Sequence, residues 1–165
     1  MSIEIESKQF SAQPITKQGR KSTMSKEAAV AQIDAVPTHV TRAHIVDSVR
    51  SFFSTYPAAQ VEEILPRAEL FASDAVFEDP VGAPPYVGKA AILDFFKSTL
   101  ESGWIIHMHP EQIIVCGDEA ISLTAGSWGL PDSEPAHVRL IHNFAFDHTG
   151  KIVRVRVFFD RGTVA

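Results

Sequence analysis

The patterning of this chain predicts an α+β domain, with three N-terminal helices packed on one face of a strongly curved antiparallel or mixed sheet that encloses an apolar pocket. Three observations carry the expectation. Between Thr41 and Leu100 apolar residues recur at spacings of three and four, the period of amphipathic helices. From Ile105 onward, branched and aromatic residues alternate with polar ones in a period of two. Gly117-Asp118 and Asp147-His148-Thr149-Gly150 sit where neighbouring strands must reverse.

Residues 1–37 are polar, rich in Ser, Lys and Gln, and without a sustained period. They lack the apolar run of a secretory signal and are expected to form a flexible tail, with a short helix over Lys26 to Ile33 as its candidate element; residues 38–165 make the domain. Ile45, Val46, Val49, Phe52 and Phe53 stripe the first helix, which Tyr56-Pro57 closes because the residue before proline disfavours helix. A second helix is expected over Ala59 to Leu70, with Val61, Ile64, Leu65 and Phe71 on its apolar side and Pro66 kinking or restarting it. Ala75 to Asp79 reads as a short strand stopped by Pro80, and the stiff loop to Gly88 is rich in Pro and Gly. Lys89 to Leu100 is the third helix, burying Ala90, Ile92, Leu93, Phe95 and Phe96. Strands then follow over Ile105 to Val115, Ala120 to Trp128, His137 to Phe146 and Lys151 to Phe159.

Composition narrows the function. With 45% hydrophobic and 21% charged residues the chain has the material for a core, and no stretch approaches the ~18 apolar residues of a membrane-spanning helix. Fifteen basic against twenty acidic residues give a net charge of −5, which supplies no broad positive field for nucleic acid. The single cysteine, Cys116, can form neither an internal disulfide nor a thiolate metal site alone, and fits a reducing, cytoplasmic compartment. Eleven Phe against two Tyr and two Trp suit a dry cavity, since phenyl rings need no hydrogen-bond partner. His107 and His109 share one strand face without a third ligand nearby, so no metal is expected there. No Gly-rich phosphate loop and no Ser-His-Asp pattern occurs, and no cofactor is expected.

An aspartate ending a strand before proline is, taken alone, most often a turn former. Alternation, however, puts Phe77 and Asp79 on one strand face and Glu78 on the other. A carboxylate on an apolar face loses solvation, which raises its pKa and makes it a stronger base once ionised.

The stretch from Phe71 to Phe96, FASDAVFEDPVGAPPYVGKAAILDFF, resembles the corresponding stretch of the bacterial ketosteroid isomerases (steroid Δ-isomerases). The run that carries the likeness is Phe77-Glu78-Asp79-Pro80-Val81-Gly82, and a weaker likeness extends to Gly150-Lys151-Ile152. The resemblance implies the cone-shaped NTF2-like fold of the SnoaL-like and isomerase proteins, with Asp79 as the general base that removes a proton beside a carbonyl. It also implies oxyanion donors, and aligning His137 to Phe144 with the family's strand puts His142 where a protonated aspartate would stand. His142 falls in an apolar row with Leu140, Phe144 and Phe146; burial would lower its pKa and an ionised Asp79 would raise it, a balance the sequence leaves open. The family's first-helix tyrosine is not carried, for the position reads Arg50-Ser51-Phe52-Phe53, and its supporting tyrosines fall on Phe71 and Phe96. Tyr56 lies about one helical turn beyond the expected site. Such rebuilt donors imply a changed substrate or reaction.

The expected pocket wall is Phe52, Phe71, Phe77, Val81, Phe95, Phe144, Val155 and Phe159, taken from helix stripes and the inward row Val153, Val155, Val157 and Phe159. The expected partner is a small, largely apolar cyclic molecule, steroid-like or polyketide-like. Arg139, Arg154 and Arg156 fall on the outer sheet face, where a homodimer contact is expected. Three functions compete: a proton-moving isomerase or a polyketide-cyclase-like enzyme using the same aspartate, a non-catalytic binder of an apolar metabolite, and a dimerisation module.

Overall fold

A computed structural model describes residues 25–165; most of the expected tail lies outside them. Four helices and six strands follow in chain order: α1 (Lys26–Asp34), α2 (Arg42–Ser54), α3 (Val61–Ala68), β1 (Phe71–Glu78), β2 (Tyr86–Val87), α4 (Lys89–Glu101), β3 (Ile105–Cys116), β4 (Glu119–Gly129), β5 (Ala136–Phe146) and β6 (Ile152–Phe158). The extra helix, α1, buries no residue and adds nothing to the helical layer. Thr41 caps α2, its hydroxyl accepting from the His44 N–H at 3.2 Å. Pro66 neither splits nor restarts α3, which runs on through it and ends at Ala68.

The sheet order is β2-β1-β6-β5-β4-β3. All neighbours are antiparallel except β1 and β6, which run parallel. The sheet is therefore mixed, because the chain crosses from β1 through α4 and three long strands before β6 returns beside it. β2, hidden from the sequence within the Pro-rich loop, pairs its two residues with Val76 and Phe77. Gly126 lets β3 and β4 close on one another: a Cβ there would overlap the His107 carbonyl and the Met108 sulfur.

Phe52 of α2 centres the core. Its ring lies 5.1–6.3 Å from those of Phe53, Tyr56, Phe71, Phe96, His142 and Phe144. On α3 the buried side is Ile64, Arg67 and Ala68, whereas Leu65, expected inside, is largely exposed. Ahead of α2, the Asp118 carboxylate in the β3–β4 turn accepts from the His39 and Val40 N–H groups at 2.7 and 3.0 Å and fastens that segment to the sheet.

Candidate active site

Where the helices diverge from the sheet they leave a cavity of about 210 Å³. The volume is below the ~300–1,000 Å³ common for small-molecule sites, so it suits a ligand of one or two rings. Its wall is mainly apolar, with Phe77, Phe95, Trp104, Met108, Trp128 and Phe159 among its residues. Asp79, His142, Tyr56 and Arg67 bring polar groups to it.

Asp79 enters from the end of β1. Glu78, on the opposite face, holds that end in place: it accepts from Arg156 Nε and from the Gly82 N–H, each at 2.8 Å, while Val81 N–H donates to the Val157 carbonyl at 2.8 Å. These bonds draw the Glu78 carboxyl below its usual range. Asp79 makes no side-chain hydrogen bond among the described residues, and burial pushes its pKa up to about 6.

His142 enters from the middle of β5, paired with Ser122 and Val157 across the sheet. Its Nδ1 lies 3.2 Å from the Thr124 hydroxyl, which lies 3.0 Å from that of Ser122, and all three residues are buried. The imidazole packs edge-on against Phe53 and parallel to Phe144. Burial, with a smaller push from the Arg67 charge, lowers its pKa to about 3, so the ring is neutral at physiological pH. The balance the sequence left open falls on the side of burial.

Tyr56 follows α2 and has no partner for its hydroxyl among the described residues. Burial raises its pKa, with Arg67 opposing and Asp79 adding to the shift. The phenol stays protonated and able to donate. Arg67, 2% exposed, donates from Nε to the Thr55 hydroxyl at 2.6 Å and from Nη2 to the Thr55 carbonyl at 3.1 Å. Its guanidinium lies over the Tyr56 ring at 3.5 Å.

Of the eight wall residues expected, Phe77, Phe95 and Phe159 line this cavity. Phe52, Phe71, Phe144 and Val155 face the same interior but are sealed in the core beneath it. Val81 borders a second, more open depression of about 630 Å³ near the C-terminal turn. Its Arg139 and Glu111 pair with each other at 3.0 Å. His107 and His109 are exposed on the outer face. Among the described residues no cluster of side chains could hold a metal ion, and no helix is long and apolar enough to cross a membrane.

Alternation puts Trp104, Ile106 and Met108 on the inward strand face opposite His107 and His109, and all three line the cavity, whereas Arg67, Tyr56 and Trp128 were not expected on its wall. For Arg67 the signal was present: it lies three residues beyond Ile64, on the apolar side of α3. For Tyr56 it was the one-turn offset itself, since Phe52 and Tyr56 share a helix face.

A helix-covered, curved sheet around a small apolar cavity with a carboxyl at its wall is the NTF2-like cone. The chain belongs to the SnoaL-like domain family, whose model matches residues 49–155. Among solved structures it is similar to SalBIII, an epoxide hydrolase/cyclase-like enzyme in pyran ring formation of the polyether salinomycin, at 21% identity and TM-score 0.65, over 74% of this chain and 95% of that one. It is also similar to a computationally designed 17-OHP binder at 17% identity and TM-score 0.63, over 74% and 97% of the two chains. RV0760c from Mycobacterium tuberculosis, solved with estradiol-17beta-hemisuccinate, matches at 18% identity and TM-score 0.63, over 74% and 98%. Likeness at this level of identity speaks for the fold.

Proposed function

We propose that this chain is an enzyme of ketosteroid-isomerase type, removing a proton next to a carbonyl of a small, largely apolar cyclic substrate. The observation that carries the reading is a carboxyl without hydrogen-bond partners among the described residues, whose pKa burial lifts to about 6, sharing one cavity with two neutral donors. Asp79 is the general base: raised basicity and ionisation at neutral pH are what proton abstraction requires. Charge then develops on the carbonyl oxygen, where His142 and Tyr56 are the candidate donors. If the Thr124 hydroxyl donates to His142 Nδ1, the proton resides on Nε2, which has no partner among the described residues and is free to serve the cavity. Tyr56 supplies from the turn after α2 the phenol that the first helix lacks. Proton transfer plus oxyanion donors completes the chemistry, so the reading takes no cofactor.

The epoxide hydrolase/cyclase-like neighbour supports a ring-closing variant in which Asp79 starts the same way and the enolate carbon adds to a second carbonyl of the same molecule, whose C=O opens to an alkoxide that takes back the proton. The two steroid-binding neighbours support a binder as the second reading. One experiment separates catalysis from binding: proton NMR of small cyclic ketones in D₂O with the full chain. Exchange of the α-protons by the wild type and its loss in Asp79→Asn is expected; binding of those ketones without exchange would move the assignment to the binder. We further place a homodimer contact on the outer sheet face, and the exposed thiol of Cys116 suits a reducing cytoplasm.

A further inference from the structure

Arginine carries five N–H donors in a rigid fork and stays charged in proteins. In Arg67 two of them are used, both on Thr55, and the other three, including both on Nη1, have no partner among the described residues. No described side-chain nitrogen or oxygen is both sealed from solvent and unpartnered. Nη1 therefore reaches open space, and for a residue 98% removed from solvent that forms part of the cavity wall, the open space is the cavity.

The charge is equally unanswered. No carboxylate lies within 4 Å of the guanidinium among the described residues, whereas Arg139, Arg154 and Arg156 each have one. What surrounds Arg67 is softer compensation: the Thr55 carbonyl at the C-terminal end of α2 and the faces of Tyr56, Phe96 and Phe52 at 3.5, 4.9 and 5.4 Å. A buried cation normally has an acidic partner, because its desolvation costs several kcal/mol. Thr55 also fixes the fork: its hydroxyl donates to the Phe52 carbonyl at 3.0 Å and accepts from Arg67 Nε at 2.6 Å, so the guanidinium plane is set before any ligand arrives.

We infer that Arg67 is the anchor for a planar anionic group, and that the ligand of this cavity is a small, largely apolar carboxylic acid. A carboxylate matches the open edge of the fork in a bidentate pair, and the aromatic wall would take the ring or chain it is attached to. A phosphate is the poorer match, since among the described residues Arg67 is the only Lys or Arg on the cavity wall. The inference rests on the proposed reading of this cavity as the reaction site and names its substrate class. Arg67 is then a specificity-determining residue, and Asp79 acts elsewhere on the same molecule.

The test is calorimetric titration of the full chain at pH 8 with an isosteric pair, naphthalene-2-carboxylate and naphthalene-2-carboxamide. The wild type is expected to bind the acid at least about tenfold more tightly than the amide, the typical reach of one charge-assisted pair. Arg67→Met is expected to lose that preference while still binding the amide, and Arg67→Lys to keep part of it. Equal binding by the wild type, failure of the acid to bind at millimolar concentration, or a preference that survives Arg67→Met overturns the inference. Should Arg67→Met not fold, the Arg67 Nε–H resonance of the wild type decides: it shifts under acid and not under amide, and an unmoved resonance at acid saturation overturns the inference. An acid preference in the wild type alongside absent α-proton exchange by the wild type would remove the reaction reading and leave the ligand class standing.

Discussion

A carboxyl that ionises near pH 6 when folded, and in the ordinary aspartate range when unfolded, ties stability to pH. Between about pH 4 and 6 the folded state with Asp79 holds more protons than the unfolded one, so this group's contribution is most favourable in acid and is lost as pH rises through 6. Above that, the fold carries the cost of a desolvated charge, on the order of 3 kcal/mol. Asp79→Asn is therefore expected to raise the melting temperature at pH 8, to match the wild type near about pH 3.5, and to abolish α-proton exchange. Thermal melts at both pH values check it; a destabilised variant at pH 8 would show that the carboxylate holds the fold together instead. His142 has the opposite sign, with stability present above its ordinary range and lost as pH falls toward about 3. For the donors, Tyr56→Phe or His142→Phe should each lower turnover by ~10²–10³ while leaving KM within a few-fold, since an oxyanion donor acts when charge develops. Steady-state kinetics on the exchanging ketone reads the split, and a change confined to KM would make these residues binding groups. Asp79 and His142 were legible from strand alternation together with the family run. Arg67 carried a signal too, three residues beyond Ile64 on the apolar side of α3, but an arginine on an apolar stripe looks like a break in the pattern until the cavity gives it a reason.

Across the elements, period-two alternation reports which face a residue takes and says nothing of how far along the strand the core ends. Val155, Phe144 and Ala120 are aligned across β6, β5 and β4, and all three are sealed. Two residues along, Val157 and His142 form the next level, and there the cavity begins. A comparable step, about one helical turn, separates Phe52 on α2 from Tyr56 just beyond its end. The faces of Phe52, Phe71, Phe144 and Val155 were thus readable, and their depth was not: depth depends on where α2 and α3 leave the sheet, a tertiary matter. The parallel pairing of β1 with β6 was hidden for the same reason, since it joins segments about half the chain apart. Truncation should separate the two levels. Phe144→Ala, at 0% exposure, is expected to cost about 3–5 kcal/mol in denaturant unfolding. Trp128→Ala, on the partly buried cavity wall, should cost distinctly less but weaken ligand binding more than tenfold. Equal losses of stability would mean the cavity is part of the packed core.

At the scale of the whole molecule, the sheet has two faces and the helices cover one. On the other, Ile114 stands opposite Ile121, and Leu123, Ile141 and Phe158 follow one another across β4, β5 and β6. Ile114, Ile121, Ile141 and Phe158 are 38–50% exposed, so a band of apolar surface crosses four strands. Around it the charges are already paired within the chain: Arg139 with Glu111 at 3.0 Å, Arg154 with Glu119 at 3.3 Å and Arg156 with Glu78 at 2.8 Å. An apolar centre inside a satisfied polar rim is the anatomy of a stable interface, and a two-fold pairing of copies would bury the band against itself. Ile141→Glu places a charge at the middle of that band. It is expected to convert a dimer to a monomer in light scattering at high micromolar concentration, while ligand binding is retained, because Ile141 points away from the cavity that His142 lines. A wild type that is monomeric under those conditions overturns the dimer. A dimer that survives both Ile141→Glu and Phe158→Glu would place the contact on another surface, and the band would then be ordinary exposed sheet.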